Sequence, residues 1–159
     1  MSSAPVIRRA TPHDLDAVVR VDVRSFTRDW PADDFLAQLG DPTVVLGIAL
    51  AGEAPSTSLG YVHVRLVGPE AELLNLAVDP AARRTGLGRR LLRWGQAEAA
   101  EAGVDRMFLE VRHDNVAALA LYRAEGWQQV GIRKRYYSED GADAVVMAVD
   151  LDAEDAQVR

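Results

Sequence analysis

A chain of 159 residues with 48% hydrophobic content is long enough for one well-buried domain and too short for two comfortable ones. It has no cysteine, which excludes disulfides, thiolate metal sites and an acyl-cysteine intermediate, and its net charge of -6 argues against broad nucleic-acid binding. No segment approaches the roughly 18 uncharged apolar residues of a membrane span, and residues 1–10 lack the apolar core of a signal peptide, so the expected compartment is the cytoplasm and no membrane partner is expected.

Val6 to Arg9 reads as a short strand, and Thr11-Pro12-His13-Asp14 as a helix cap with proline in the first turn and an acidic residue closing it. The helix that follows carries an apolar stripe of Leu15, Val18, Val19, Val23 and Phe26 until Trp30-Pro31 interrupts it. A second short helix then carries Phe35, Leu36 and Leu39 to Gly40. Thr43 to Leu50 and Leu59 to Leu66 are rich in β-branched and apolar residues and are predicted to form an antiparallel hairpin. His63 falls in the second of these strands with no metal-ligand spacing around it, and His13 belongs to the solvated cap, so neither marks a site.

Gly68-Pro69-Glu70 turns the chain into Leu73 to Val78, a brief apolar run stopped by Asp79-Pro80 and read as a buried central strand. The turn Arg83-Arg84-Thr85-Gly86-Leu87-Gly88 leads into a helix with Leu91, Leu92, Gly95, Ala99 and Ala102 at helical spacing, stopped by Gly103. Met107 to Arg112 is then a strand reached by a helical crossover, which places it parallel to the central strand. His113-Asp114-Asn115 caps a helix from Val116 to Glu125 that ends at Gly126. Trp127 to Val130 begins another strand, Ile132 to Tyr137 is basic and aromatic, Ala144 to Leu151 is a last strand, and residues 152–159 are a polar tail expected to fray.

Two stretches carry chemistry. The first is the glycine turn: a helix N-terminus exposes unpaired N–H groups and partial positive charge, and glycines let an anion reach the backbone. With Arg83, Arg84, Arg89 and Arg90 flanking it, the turn reads as a pyrophosphate cradle or as an ordinary turn with a solvated basic rim. The third glycine of a dinucleotide fingerprint is missing, and no glycine-lysine pair exists for a P-loop because Lys134 is the sole lysine.

The second is Glu110, inside an otherwise apolar strand, where an ionised carboxylate is disfavoured unless paired or used. A pair with Arg112 or with a neighbouring strand is one reading; catalysis is the other. Downstream, Asn115, Leu119 and Tyr122 fall on one helical stripe, so an amide and a phenol face the same way.

Strand, Arg-x-x-Gly-x-Gly and helix resemble the acetyl-CoA site of the GNAT acyltransferase superfamily. Leu109-Glu110-Val111-Arg112, Asn115, Leu121-Tyr122 and Arg135-Tyr136-Tyr137 with Asp143-Ala144 and Met147 resemble its branch of bacterial ribosomal-protein-alanine N-acetyltransferases. The likeness is strongest from Glu72 to Met147; His113-Asp114, where a small residue is usual, and Trp127, where phenylalanine is commoner, depart from it.

The resemblance implies a single GNAT domain over residues 1–159, of α/β (α+β) class, with a mixed, mostly antiparallel twisted sheet, a central parallel strand pair and flanking helices. It implies direct transfer of the acetyl group of acetyl-CoA to a primary amine, with no metal. Glu110 would be the general base and Tyr122 the acid, Leu76, Ala77 and Val78 would hold the pantetheine arm, and Arg83, Arg84, Thr85, Gly86, Leu87, Gly88 and Arg89 the pyrophosphate, with Asn115 also on the cofactor side. Trp30, Glu72, Tyr136 and Tyr137 would lie toward the acceptor, Glu72 being the rival base. The implied acceptor is a protein N-terminus, a ribosomal protein first among candidates, served by a monomer or weak homodimer. A small amine or a lysine as acceptor, and a non-catalytic acetyl-CoA-binding module, are the alternatives.

Overall fold

The computed structural model describes residues 4–25, 32–52 and 57–157. One seven-stranded sheet runs through it: β1 (Val6–Arg9), β2 (Val44–Ala51), β3 (Thr57–Val67), β4 (Glu70–Val78), β5 (Arg106–Arg112), β6 (Gln128–Tyr137) and β7 (Ala142–Asp150), in the order β1-β2-β3-β4-β5-β7-β6. Every neighbouring pair is antiparallel except β4 and β5, which run parallel and are joined by a helical crossover. That crossover is α3 (Leu87–Glu101).

Helices cover both faces of the sheet. On one, Leu91, Leu92 and Trp94 of α3 and Leu119 and Tyr122 of α4 (Val116–Ala124) pack with Val62, Val64, Leu73, Met107, Leu109, Val145 and Met147. Gly47 is where the helix comes closest: a Cβ there would stand 2.3 Å from the Trp94 ring, so β2 accepts α3 only through a residue with no side chain. On the other face, Val18 and Val21 of α1 (Leu15–Ser25) pack on Leu46, Ile48, Tyr61 and Ala77, and α2 (Ala32–Leu39) lies against β2. Asp14 closes the cap ahead of α1, accepting from the Thr11 N–H at 2.7 Å while pairing with Arg8 at 2.8 Å.

The parallel seam is short. Pairing runs from Glu70↔Arg106 to Leu73↔Leu109 and then stops, although β4 continues to Val78 and β5 to Arg112. Beyond Leu73 the two strands part, and β4 keeps a partner on its β3 side alone. The cause is visible in the register with β3, which shifts between His63↔Asn75 and Val64↔Leu73 and leaves Leu74 as an extra residue. An extra residue bends and twists a strand away from its neighbour.

Sequence and structure differ mainly at element ends. α3 begins at Leu87 rather than Arg89, so Gly88 lies inside the helix, and β4 begins at Glu70 rather than Leu73. The stretch expected to fray contains a short helical turn at Asp155–Gln157 set against α3. Among the described residues no helix is long and apolar enough to cross a membrane, and no three His, Asp or Glu side chains converge to hold a metal.

Candidate active site

The wedge between the parted ends of β4 and β5 collects most of the sequence-predicted site residues along its two sides. On the β4 side, Leu76, Ala77 and Val78 form the length of strand with no strand opposite its outer edge. The chain then turns through Asp79, whose carboxylate accepts from the Ala81 N–H at 2.9 Å, and reaches the glycine turn, exposed from Arg83 to Gly86.

Gly86 is the N-cap of α3 at φ 83, and a Cβ on it would meet nothing within 4 Å. Glycine is therefore needed for the left-handed backbone, and the space in front of it is open. The first helical N–H to find an acceptor is that of Arg90, bonded to the Gly86 carbonyl at 3.2 Å, so the N–H groups of Leu87, Gly88 and Arg89 lie ahead of the helical ladder. Open N–H groups, a missing side chain and a positive helix end fit the diphosphate of acetyl-CoA.

The arginines are less interchangeable than their spacing implies. Arg83 donates to the Val78 carbonyl at 3.3 Å, Arg89 lies 3.6 Å from Glu125, and Arg90 donates to the Pro5 carbonyl at 2.8 Å. Arg84, at φ 63, has no hydrogen bond or ion pair among the described residues and is the one most ready for a phosphate. Thr85 donates to the Ala82 carbonyl at 2.6 Å, tightening the turn.

On the β5 side, Glu110 stands one residue past the last parallel pair, at the mouth of the wedge, its side chain 16% exposed. Its partner is neither Arg112 nor a residue of the adjacent strand: Arg133 of β6 reaches across to place its Nε 2.6 Å from Oε1. Arg112 instead pairs with Asp114 at 3.0 Å and Asp140 at 2.6 Å and lies over the Tyr137 ring at 5.2 Å. The Tyr136 hydroxyl also bonds Glu110, and that bond, followed by burial, pushes its pKa up to about 12. The rings of Tyr136 and Tyr137 meet edge to face at 5.1 Å.

Tyr122 completes the group from α4. It is 8% exposed, and burial, with a smaller push from Tyr137, raises its pKa to about 12, so it stays protonated at neutral pH. Its ring lies 5.9 Å from that of Trp127, whose indole N–H donates to the Gln96 oxygen at 3.1 Å. Trp127 is thus accommodated by an acceptor from α3. Asn115 caps α4, its Oδ1 accepting from the Ala118 N–H at 3.1 Å, which leaves its Nδ2 for a ligand.

One expected residue stands apart from this group. Glu72 lies in the paired part of the seam, opposite Phe108, on the same face as Glu110 but inside the ladder rather than at its open end. Trp30 lies outside the described residues. His63 is 2% exposed on β3 with a pKa drawn down to about 4, chiefly by burial, and its Nδ1 lies 3.4 Å from the Asn75 amide: a neutral histidine of the interior. Arg133 and Asp143 are the residues that sequence reasoning missed as parts of the site. The signal for Arg133 was Glu110 itself, a strand carboxylate in need of a cation.

Comparison with known proteins agrees with the geometry. The model of the acetyltransferase (GNAT) family matches residues 15–127. The chain is 40% identical over 146 residues to the N-alpha-acetyltransferase RimI of Mycobacterium tuberculosis, covering 88% of this chain and 89% of that protein. It is also 38% identical over 149 residues to an uncharacterised Mycobacterium leprae protein, of which it spans 40% of the length. The crystal structure of the ribosomal-protein-S18-alanine N-acetyltransferase from Escherichia coli superposes with a TM-score of 0.82 at 30% identity, covering 93% of this chain and 94% of that one. The chain belongs to the GNAT acetyltransferase family and is an acetyl-CoA-dependent N-acetyltransferase.

Proposed function

We propose that the acceptor is the N-terminal α-amino group of a protein, alanine first among residues, and that a ribosomal protein of the S18 kind is the partner. The names of the relatives support this reading, and so does one observation: Glu110, the carboxylate at the open end of the seam, is bordered by Tyr136 and Tyr137. An α-amino group has a pKa of about 7.7 to 8.0, against about 10.4 for lysine, so a single carboxylate is base enough for it.

In the transfer, Glu110 takes the proton from the acceptor nitrogen as that nitrogen bonds to the thioester carbonyl carbon. Tyr122 holds and then protonates the sulfur as the carbon–sulfur bond breaks. Leu76, Ala77 and Val78 align the pantetheine arm, an N–H of this edge polarises the thioester carbonyl, and Arg83 to Arg89 hold the diphosphate with Asn115 beside the arm. Tyr136 and Tyr137 border the acceptor, with Glu72 further down the seam on the same face. The protein works as a monomer or weak homodimer in the cytoplasm.

The acceptor assignment is tested by turnover of peptides with a free N-terminal alanine, the same peptides blocked at the N-terminus but carrying lysine, and a panel of small amines. The free N-terminus is expected to turn over fastest. A faster blocked lysine peptide or small amine rejects a protein N-terminus as acceptor.

The diphosphate site is tested at Gly86. Gly86→Ala and Gly86→Leu both meet the left-handed backbone, but only leucine fills the space in front of the N–H groups. The KM for acetyl-CoA is expected to rise more than about tenfold in Gly86→Leu and distinctly less in Gly86→Ala. Equal KM values in the wild type and the folded leucine variant would place the diphosphate elsewhere.

A further inference from the structure

In a regular strand, side chains alternate between faces, so Arg133 and Tyr136 would point in opposite directions. Both nevertheless reach Glu110. The pairing of β6 with β7 explains how. It runs to Arg133↔Ala144 and resumes at Tyr137↔Ala142, so Lys134, Arg135 and Tyr136 together oppose Asp143. Within this bulge Arg135 takes φ 54, a left-handed conformation that is strained for any residue with a side chain. The Asp143 carboxylate holds it there, accepting from the Arg135 N–H at 2.9 Å.

We infer that Arg133 is a positioning residue for Glu110, seated by the Asp143-held bulge of β6. The inference rests on the reading of Glu110 as the base. A glutamate side chain has several rotatable bonds, and at the mouth of the wedge Glu110 is paired with β7 on one side but has no strand opposite it on the β4 side. Arg133 fixes Oε1 at 2.6 Å, the Tyr136 hydroxyl bonds the same carboxylate, and together they turn it to face the acceptor. Stability does not account for the arrangement. The Arg133 side chain is 61% exposed, an ion pair so open to water adds little to folding, and the bulge that delivers it is itself strained. The same exposure means that its replacement leaves the fold intact.

The experiment measures steady-state turnover of an alanine-terminated peptide by Arg133→Met and Arg133→Lys, each in the wild-type and the Glu110→Gln backgrounds. Arg133→Met is expected to lower kcat about tenfold, within the cost of a misplaced catalytic group, with the KM for acetyl-CoA changed less than about twofold. Arg133→Lys should recover part of the loss. In the Glu110→Gln background Arg133→Met should change kcat less than about twofold, because there is no base left to position. Asp143→Ala should reproduce the Arg133→Met loss, and Asp143→Asn, which keeps an acceptor oxygen, should restore most of it. If Glu110→Gln lowers kcat but Arg133→Met costs the same in both backgrounds, or costs nothing, the inference fails alone. If Glu110→Gln leaves kcat unchanged, the base assignment fails and takes the inference with it.

Discussion

Glu110→Gln is expected to lower kcat by about 10² to 10⁴, the usual cost of removing a general base, while the KM for acetyl-CoA stays within about twofold. The amide keeps the length and shape of the side chain and still offers an oxygen to Arg133 and Tyr136, so the wedge should keep its form while its base is lost. The proposed cofactor cradle lies on the β4 side, across the wedge from Glu110, which is why binding and turnover should separate. The comparison variant is Glu72→Gln. Glu72 sits inside the paired ladder and should cost far less. Abolished turnover in Glu72→Gln with normal turnover in Glu110→Gln would show that the base is the other carboxylate.

Tyr122→Phe is the second large effect, expected at about 10² in kcat with little change in acetyl-CoA affinity. A phenol held near 12 is a weak acid toward a thiolate whose conjugate thiol has an ordinary pKa of about 8.5. The service we propose for it is therefore mainly a hydrogen bond to sulfur as charge develops, in a place that burial keeps from water, with the proton following late. That ordering puts the expected loss at the lower end of the acid–base range. Phenylalanine preserves the packing on Trp127 and Leu119, so melting temperature should hardly move. A fall in kcat matched by an equal rise in the KM for acetyl-CoA would assign Tyr122 to binding instead of chemistry.

Much of this was legible in the chain because it is written in local chemistry. Asp79-Pro80 ends β4, the glycine turn opens α3, Asn115 caps α4, and the crossover through α3 sets β5 parallel to β4. The expectation that Glu110 is paired unless used finds its pair in Arg133, and the carboxylate stands at the open end of the seam. What could not be read was parity. The extra residue at Leu74 and the three-against-one bulge at Arg135 depend on which strand lies alongside, and a run of apolar residues does not announce where it skips a pairing. Arg112 is one natural candidate for the partner of Glu110 because the two share a face. It is held instead by Asp114 and Asp140 beyond the strand end.

The unpaired Leu74 has a consequence for how such a protein can change over generations. Because the opening between β4 and β5 accompanies one surplus backbone unit rather than any particular side chain, amino-acid replacements along the wedge can alter which amine is admitted without closing the opening. Deleting that one unit would shift the face of every later residue in β4 and bring the strand back into step with its neighbour. The cleft is thus robust to substitution and fragile to loss of a single codon, and lineages that diversify acceptors on this frame should vary in residue type here while keeping residue count fixed.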